Sequence, residues 1–145
     1  MKPELGRVFV PTWMGYPPGM PSGDYEVWLR YRHQLVGFYD SLYFNVRIGE
    51  PIIFPADADP SMAILTAAIS RRRIDVAASD GKQWLLVELK YNAGTDALGQ
   101  ILMYKALWSL DPPDTKPVVL AIVSDRANKD LLLACKYYNI QLIVV

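Results

Sequence analysis

The stretch WLLVELKY, Trp84 to Tyr91, constrains the fold more than any other segment, because it is apolar apart from Glu88 and Lys90. A run this apolar reads as a strand buried by layers on both sides. Burying a charge is costly unless it is paired or bound to a metal, so the fold must compensate Glu88 and Lys90. Just upstream, Asp80–Gly81 is a hairpin-turn signal, and a second strand pattern precedes it over about Arg72–Ala78. A two-residue turn pairs Ser79 with Lys82, which sets Asp75 opposite Leu86 and diagonal to Glu88. Such a diagonal is roughly 7–8 Å, within reach of long side chains. Side chains alternate along a strand, so Asp75, Leu86, Glu88 and Lys90 share one face. Ile74, Val76, Leu85, Val87 and Leu89 take the other, and all five are apolar. A three-residue loop would shift the register by one and destroy that segregation.

The rest of the chain supplies layers for such a hairpin. Residues 11–23, PTWMGYPPGMPSG, are too rich in proline and glycine for a helix or central strand. They read as an arm anchored by Trp13, Met14, Tyr16 or Met20, with Ser22 or Asp24 capping the next helix. That helix is expected from about Tyr25 to Leu42, on the spacing of Trp28, Leu35, Tyr39 and Leu42. Glu26, Arg30, His33 and Gly37 form a separate polar stripe. A short strand, Phe44–Ile48, is followed by an insert over 50–70: a proline-punctuated loop and then a helix over Ser61–Ser70. After the hairpin come a helix opened by Gly94–Thr95–Asp96 and running to about Leu110, a strand over Val118–Val123, a helix over Asn128–Tyr138 and a strand over Ile140–Val145. Interleaved helices and apolar strands imply an α/β sheet covered on both faces.

With 145 residues, 52% of them hydrophobic, the chain suits one domain with a sizeable core. Fifteen basic residues balance fifteen acidic ones, which argues against strong non-specific nucleic-acid binding by bulk charge but not against a local basic patch. The single cysteine, Cys135, excludes an internal disulfide or a cysteine-built zinc site and reads as a core thiol. The sequence shows neither a secretory leader pattern nor a bilayer-length apolar run. A cytoplasmic protein without membrane contact is the expectation.

Two carboxylates converging on one point suit Mg²⁺ or Mn²⁺, hard ions that take oxygen ligands. An ion pair of Lys90 with Glu88 or Asp75 at the sheet edge is the competing explanation. Asp75, a hairpin and then Glu88–Leu89–Lys90 resemble the D…(D/E)-x-K signature of the PD-(D/E)XK nuclease superfamily. Gln100 and Tyr104 form a Q-x-x-x-Y helix motif similar to that of the branch with recombination-type and viral exonuclease domains, and the element order matches over about residues 24–123. Ile74 stands where many members have proline, and the segment before Asp75 is long, with an extra helix.

The resemblance implies a restriction-endonuclease-like fold, a central mixed sheet flanked by helices. It also implies a metal-dependent nuclease acting on phosphodiester bonds, most naturally in DNA. Asp75 and Glu88 would be metal ligands, Lys90 the base or charge stabiliser, and Gln100 and Tyr104 positioning groups. A carboxylate on the first helix often completes such a site, and Glu26 is the expected candidate, against a solvated Glu26–Arg30 pair. Arg30, His33 and Arg71–Arg72–Arg73 are candidate nucleic-acid contacts, against solvated or structural roles. Tyr91 and Asn92 are placed to line the cleft. A homodimer is expected from the apolar, aromatic-rich composition. The alternative is a non-catalytic nucleic-acid-binding or assembly protein that keeps the fold, which the neutral net charge favours.

Overall fold

A computed structural model describes residues 1–51, 55, 57 and 59–145, with only the backbone of 66–69. Five strands form one mixed sheet in the order β1 (Ser41–Ile48), β2 (Arg72–Ser79), β3 (Trp84–Lys90), β4 (Val118–Ser124) and β5 (Gln141–Val144). The first three pair antiparallel, and β3–β4 and β4–β5 pair parallel. Four α-helices accompany them: α1 (Ser22–Tyr31), α2 (Pro60–Ser70), α3 (Thr95–Leu110) and α4 (Lys129–Tyr137). Two apolar layers result. Val27, Trp28 and Tyr31 of α1 pack on Val76, Leu85, Val87 and Leu89. Ala97, Ile101, Tyr104 and Trp108 of α3 pack on Leu86, Leu120 and Ile122 from the other side. Among the described residues no helix is long and apolar enough to cross a membrane.

The hairpin register differs from the two-residue expectation. Ser79 pairs with Trp84, not Lys82, and Val76 with Val87. Asp80 is the cause: its Oδ1 accepts the backbone N–H groups of Lys82 and Gln83, each at 2.8 Å. Those donors are lost to the ladder, while Trp84 donates its N–H to Pro117 beside β4. The shift is two residues, so the faces survive, and the same register extended by one residue sets Asp75 directly across from Glu88.

One face assignment does change. Ile74 packs in the α3 layer and Val76 in the α1 layer, although both are even-numbered. Asn45, across from Asp75, has φ +54°, and the left-handed residue flips the alternation: Phe44 faces α1, Val46 faces α3.

The first helix is also shorter than its apolar spacing predicts. It ends at Tyr31, continues as a 3-10 turn over Arg32–Leu35, and breaks where Val36 is extended and Gly37 takes φ +85°. Leu42 belongs to β1 instead. The N-cap is Pro21, with no side-chain cap from Ser22 or Asp24. The expected arm is ordered: Trp13 packs against Phe9 and Phe44, Tyr16 against Tyr25, and buried Arg32 donates to the Trp13 carbonyl. Met14 is exposed and anchors nothing.

Of the expected insert 50–70, residues 52–54, 56 and 58 lie outside the described residues. Asp59 caps α2 by accepting the Ser61 N–H at 2.9 Å. Met62, Ile64 and Leu65 of α2 are exposed.

Candidate active site

The antiparallel pairing of β2 and β3 brings two carboxylates together near the end of β3. Regular backbone pairing is recorded up to Val76–Val87. One step further, the Asp75 side chain takes over, its Oδ2 accepting the Leu89 N–H at 2.8 Å. Glu88, buried, faces α3, where the Tyr104 hydroxyl donates to its Oε2 at 2.7 Å. Tyr104 reaches it because Ile101, Tyr104 and Trp108 recur on the buried face of α3.

The two carboxyls are in direct electrostatic contact. Burial, then the Glu88 charge, hold Asp75 well above the usual carboxylate range, and the Leu89 N–H offsets only part of this. Burial pushes Glu88 up to about 7, against the opposing hydrogen bonds of Tyr104 and Asp75. Two like charges in a poorly solvated corner cannot both ionise without a compensating cation. Both carboxyls are therefore shifted toward their protonated forms.

Lys90 does not serve as that cation alone. Its Nζ lies 2.9 Å from Asp96 Oδ2 in the first turn of α3. The hydrogen bond to Asp96 raises the Lys90 pKa, and the charges of Glu88 and Asp24 add to it. The ion-pair explanation of Lys90 thus finds its partner in Asp96. Among the described residues, no cationic side chain is bonded to Glu88 or Asp75.

The acidic group contributed by the first helix is Asp24, not Glu26. Asp24 acts electrostatically on Asp75, Glu88 and Lys90, and is itself pushed up by burial. Glu26, two residues on, points elsewhere on the helix and is exposed. The signal in the sequence was the acidic first turn of a helix that starts beside the end of β3. Among the described residues, no three His, Cys, Asp or Glu side chains form a ready-made metal cage. The donor chemistry of Asp75 and Glu88 nonetheless fits a divalent ion that keeps several waters.

The expected basic residues separate. Arg71 is buried and structural: its Nε donates to the Gly49 carbonyl at 2.6 Å, its Nη2 to the Lys2 carbonyl at 2.9 Å, and its Nη1 lies 3.7 Å from Glu4. Arg72 is exposed and reaches Gln100 Oε1 at 3.4 Å, so it stands beside α3 on the site's side of the sheet. Arg73 is half-buried and lies across from Arg47 on β1. Arg30 and His33 are exposed toward the far end of the first helical segment. At 1.5 Å per residue, Arg30 is about 9 Å along the axis from Asp24, so neither joins the carboxylate corner.

No protein-family profile matches the chain, and no curated protein is similar to it. Among solved structures, the chain is similar to the crystal structure of protein VC1899 from Vibrio cholerae, with 14% identity and a TM-score of 0.45 over 83% of this chain. The chain spans 28% of that protein's length. A superposition this loose assigns neither a fold family nor a function.

Proposed function

We propose that the chain is a divalent-metal-dependent nuclease with a restriction-endonuclease-like fold, acting on phosphodiester bonds and most naturally on DNA. The observation that carries the reading is the meeting of Asp75 and Glu88 across β2 and β3, with Tyr104 of the Q-x-x-x-Y motif bonded to Glu88. A structural ion pair would have placed a cation against these carboxylates. Their pKa values are instead raised, that of Asp75 by burial and the Glu88 charge and that of Glu88 by burial and the Asp24 charge.

Asp75 and Glu88 would hold Mg²⁺ or Mn²⁺, which supplies charge to the phosphate oxygens and lowers the pKa of a bound water. Hydrolysis forms a bond from a water oxygen to phosphorus and breaks a bridging P–O bond. Tyr104 fixes the Glu88 carboxylate and favours its ionised form. Lys90, whose raised pKa keeps it charged, suits stabilisation of charge growing on the phosphate rather than proton abstraction. Gln100 and Arg72 would border the approach.

The test is incubation with linear, circular and branched DNA and with RNA, with Mg²⁺, Mn²⁺ or EDTA. Metal-dependent cleavage by the wild type that is lost in Glu88→Gln supports the reading. No cleavage, with no melting shift on adding either metal, overturns it. The non-catalytic alternative is favoured by the zero net charge, and a gel shift retained in EDTA distinguishes it.

A further inference from the structure

Tyr91 follows Lys90 at the end of β3, and the residue is 54% exposed. Its position is fixed from both sides. Gly23, in the first turn of α1 and one residue before Asp24, leaves the Tyr91 Cβ only 3.8 Å from where a side chain would begin. The next residue, Asn92, takes φ +53° and donates its N–H to Asp125 Oδ1 at 2.5 Å, and Ala93 donates to Ser124 Oγ at 2.9 Å. An exposed aromatic ring thus stands on a braced turn beside the carboxylate corner. The Arg126 guanidinium lies 6.0 Å from the ring centroid. Beyond Asp24 on the other side, Tyr16 and Tyr25 have ring centroids 4.2 Å apart, and Tyr16 is 52% exposed.

Among the described residues, the cations nearest Tyr91 are matched, and Arg72 stands apart beside α3. Lys90 is bonded to Asp96, and Arg126 to Asp125 at 3.3 Å. Duplex binders gain much of their affinity by neutralising many phosphates, and this mouth offers little free charge for that. Exposed aromatic faces provide affinity in another way, by stacking on bases. A base inside a duplex already has both faces covered by its neighbours, so away from a duplex end only an unpaired base can lie on Tyr91.

We propose that Tyr91 is a stacking platform for an unpaired nucleobase, so that the site takes single-stranded or frayed nucleic acid in preference to a blunt duplex. The choice of ligand rests on the nuclease reading for its substrate class, but binding does not require that cleavage occur. The experiment measures fluorescence anisotropy of labelled oligothymidylate, oligouridylate and a blunt DNA duplex, in Ca²⁺ and in EDTA, with wild type, Tyr91→Ala and Tyr91→Phe. Wild type should prefer either single strand to the duplex. Tyr91→Ala should weaken single-strand binding by about tenfold, as loss of one base–aromatic stack does, and Tyr91→Phe should retain it. Equal or tighter binding of the duplex, or an affinity for single strands unchanged in Tyr91→Ala, overturns the proposal. Single-strand preference in a wild type that never cuts with Mg²⁺ or Mn²⁺ removes the nuclease reading and leaves this one standing. Cleavage of single strands with an unchanged KM in Tyr91→Ala does the reverse.

Discussion

Asp75 and Asp80 lie five residues apart at the two ends of the same hairpin arm, and their environments push them in opposite directions. Asp80, half-buried at the turn, accepts the N–H groups of Lys82 and Gln83 and has a lowered pKa for that reason. Asp75 receives one N–H, from Leu89, but burial and the facing Glu88 outweigh it. One carboxylate is used to close a turn, and its charge is satisfied within the chain. The other is placed beside a second carboxylate, where the folded chain alone leaves the charge unsatisfied. Carboxylates perturbed in this way are candidates for function, and under the proposed reading an outside cation would offset the cost.

The largest expected effects test the unsatisfied end. Asp75→Asn and Glu88→Gln should each reduce metal-dependent cleavage by more than the roughly 10–100-fold that loss of an outer partner costs. Neither should lower the melting temperature without metal, because each removes repulsion. Melting scans with and without Mg²⁺ check this, and a metal-dependent shift retained in both variants would break the contrast with Asp80. Lys90→Ala should keep the metal-dependent melting shift while kcat falls about 10²–10³-fold, the scale for loss of one charge-stabilising group. Single-turnover kinetics reads it.

The next effect is on stability against pH. Glu88 has a folded pKa of about 7 against an ordinary 4.5. The folded corner therefore holds a proton that the unfolded chain has already released. Stability should fall as pH rises from about 5 through 7, since the folded state binds more protons across that window. A shift of this size is on the order of a few kcal/mol, or roughly 10 °C in Tm for a chain of this length. Mg²⁺ should flatten the profile, and so should Glu88→Gln.

How much of this corner could be read from the sequence depends on which interactions were local. The meeting of Asp75 with Glu88 was legible from the hairpin signal, and the two-residue error in register kept them together although the alternation breaks at Asp75. The error itself came from Asp80, whose side chain captured two backbone donors that the turn signal had assigned to the ladder. The flip at Asn45 was not legible, since nothing in a strand pattern announces a left-handed residue. Arg71 looked like its two neighbours, but its partners at Lys2 and Gly49 lie 69 and 22 residues away. Asp24 was read as a cap. Its influence on Asp75 and Glu88 exists only once α1 packs on the sheet. Tyr104 was found through the spacing of Q-x-x-x-Y, and its bond to Glu88 gives that spacing a physical role.

That bond yields a smaller effect than the carboxylates themselves. Tyr104→Phe removes the donor that favours the charged form of Glu88, so the Glu88 pKa should rise further. Metal affinity near neutral pH should drop by about tenfold, in the range for loss of a group that orients a ligand. Raising the pH should recover most of the drop, because the carboxylate is then ionised without help. Isothermal titration with Mn²⁺ at two pH values decides it, and a loss of affinity independent of pH would mean that Tyr104 acts by packing alone.

The smallest effect belongs to Asp80, and it tests the comparison from its other side. The folded pKa of Asp80 is lowered from 3.8 by the Lys82 and Gln83 N–H groups. Its contribution to stability is therefore present above about pH 4 and lost as pH falls through the folded value. Asp80→Ala should lower Tm slightly at neutral pH, and the difference from wild type should shrink in acid. Asp80→Asn keeps an oxygen acceptor for the turn and should lose less. Neither variant should alter cleavage or the metal-dependent melting shift, because the turn lies at the opposite end of β2 from Asp75. Paired melting curves at neutral and acid pH, with and without Mg²⁺, read all of these together. A metal-dependent shift that moved with Asp80 would mean that the two ends of the hairpin are coupled through register, with Asp80 helping to set Asp75 across from Glu88.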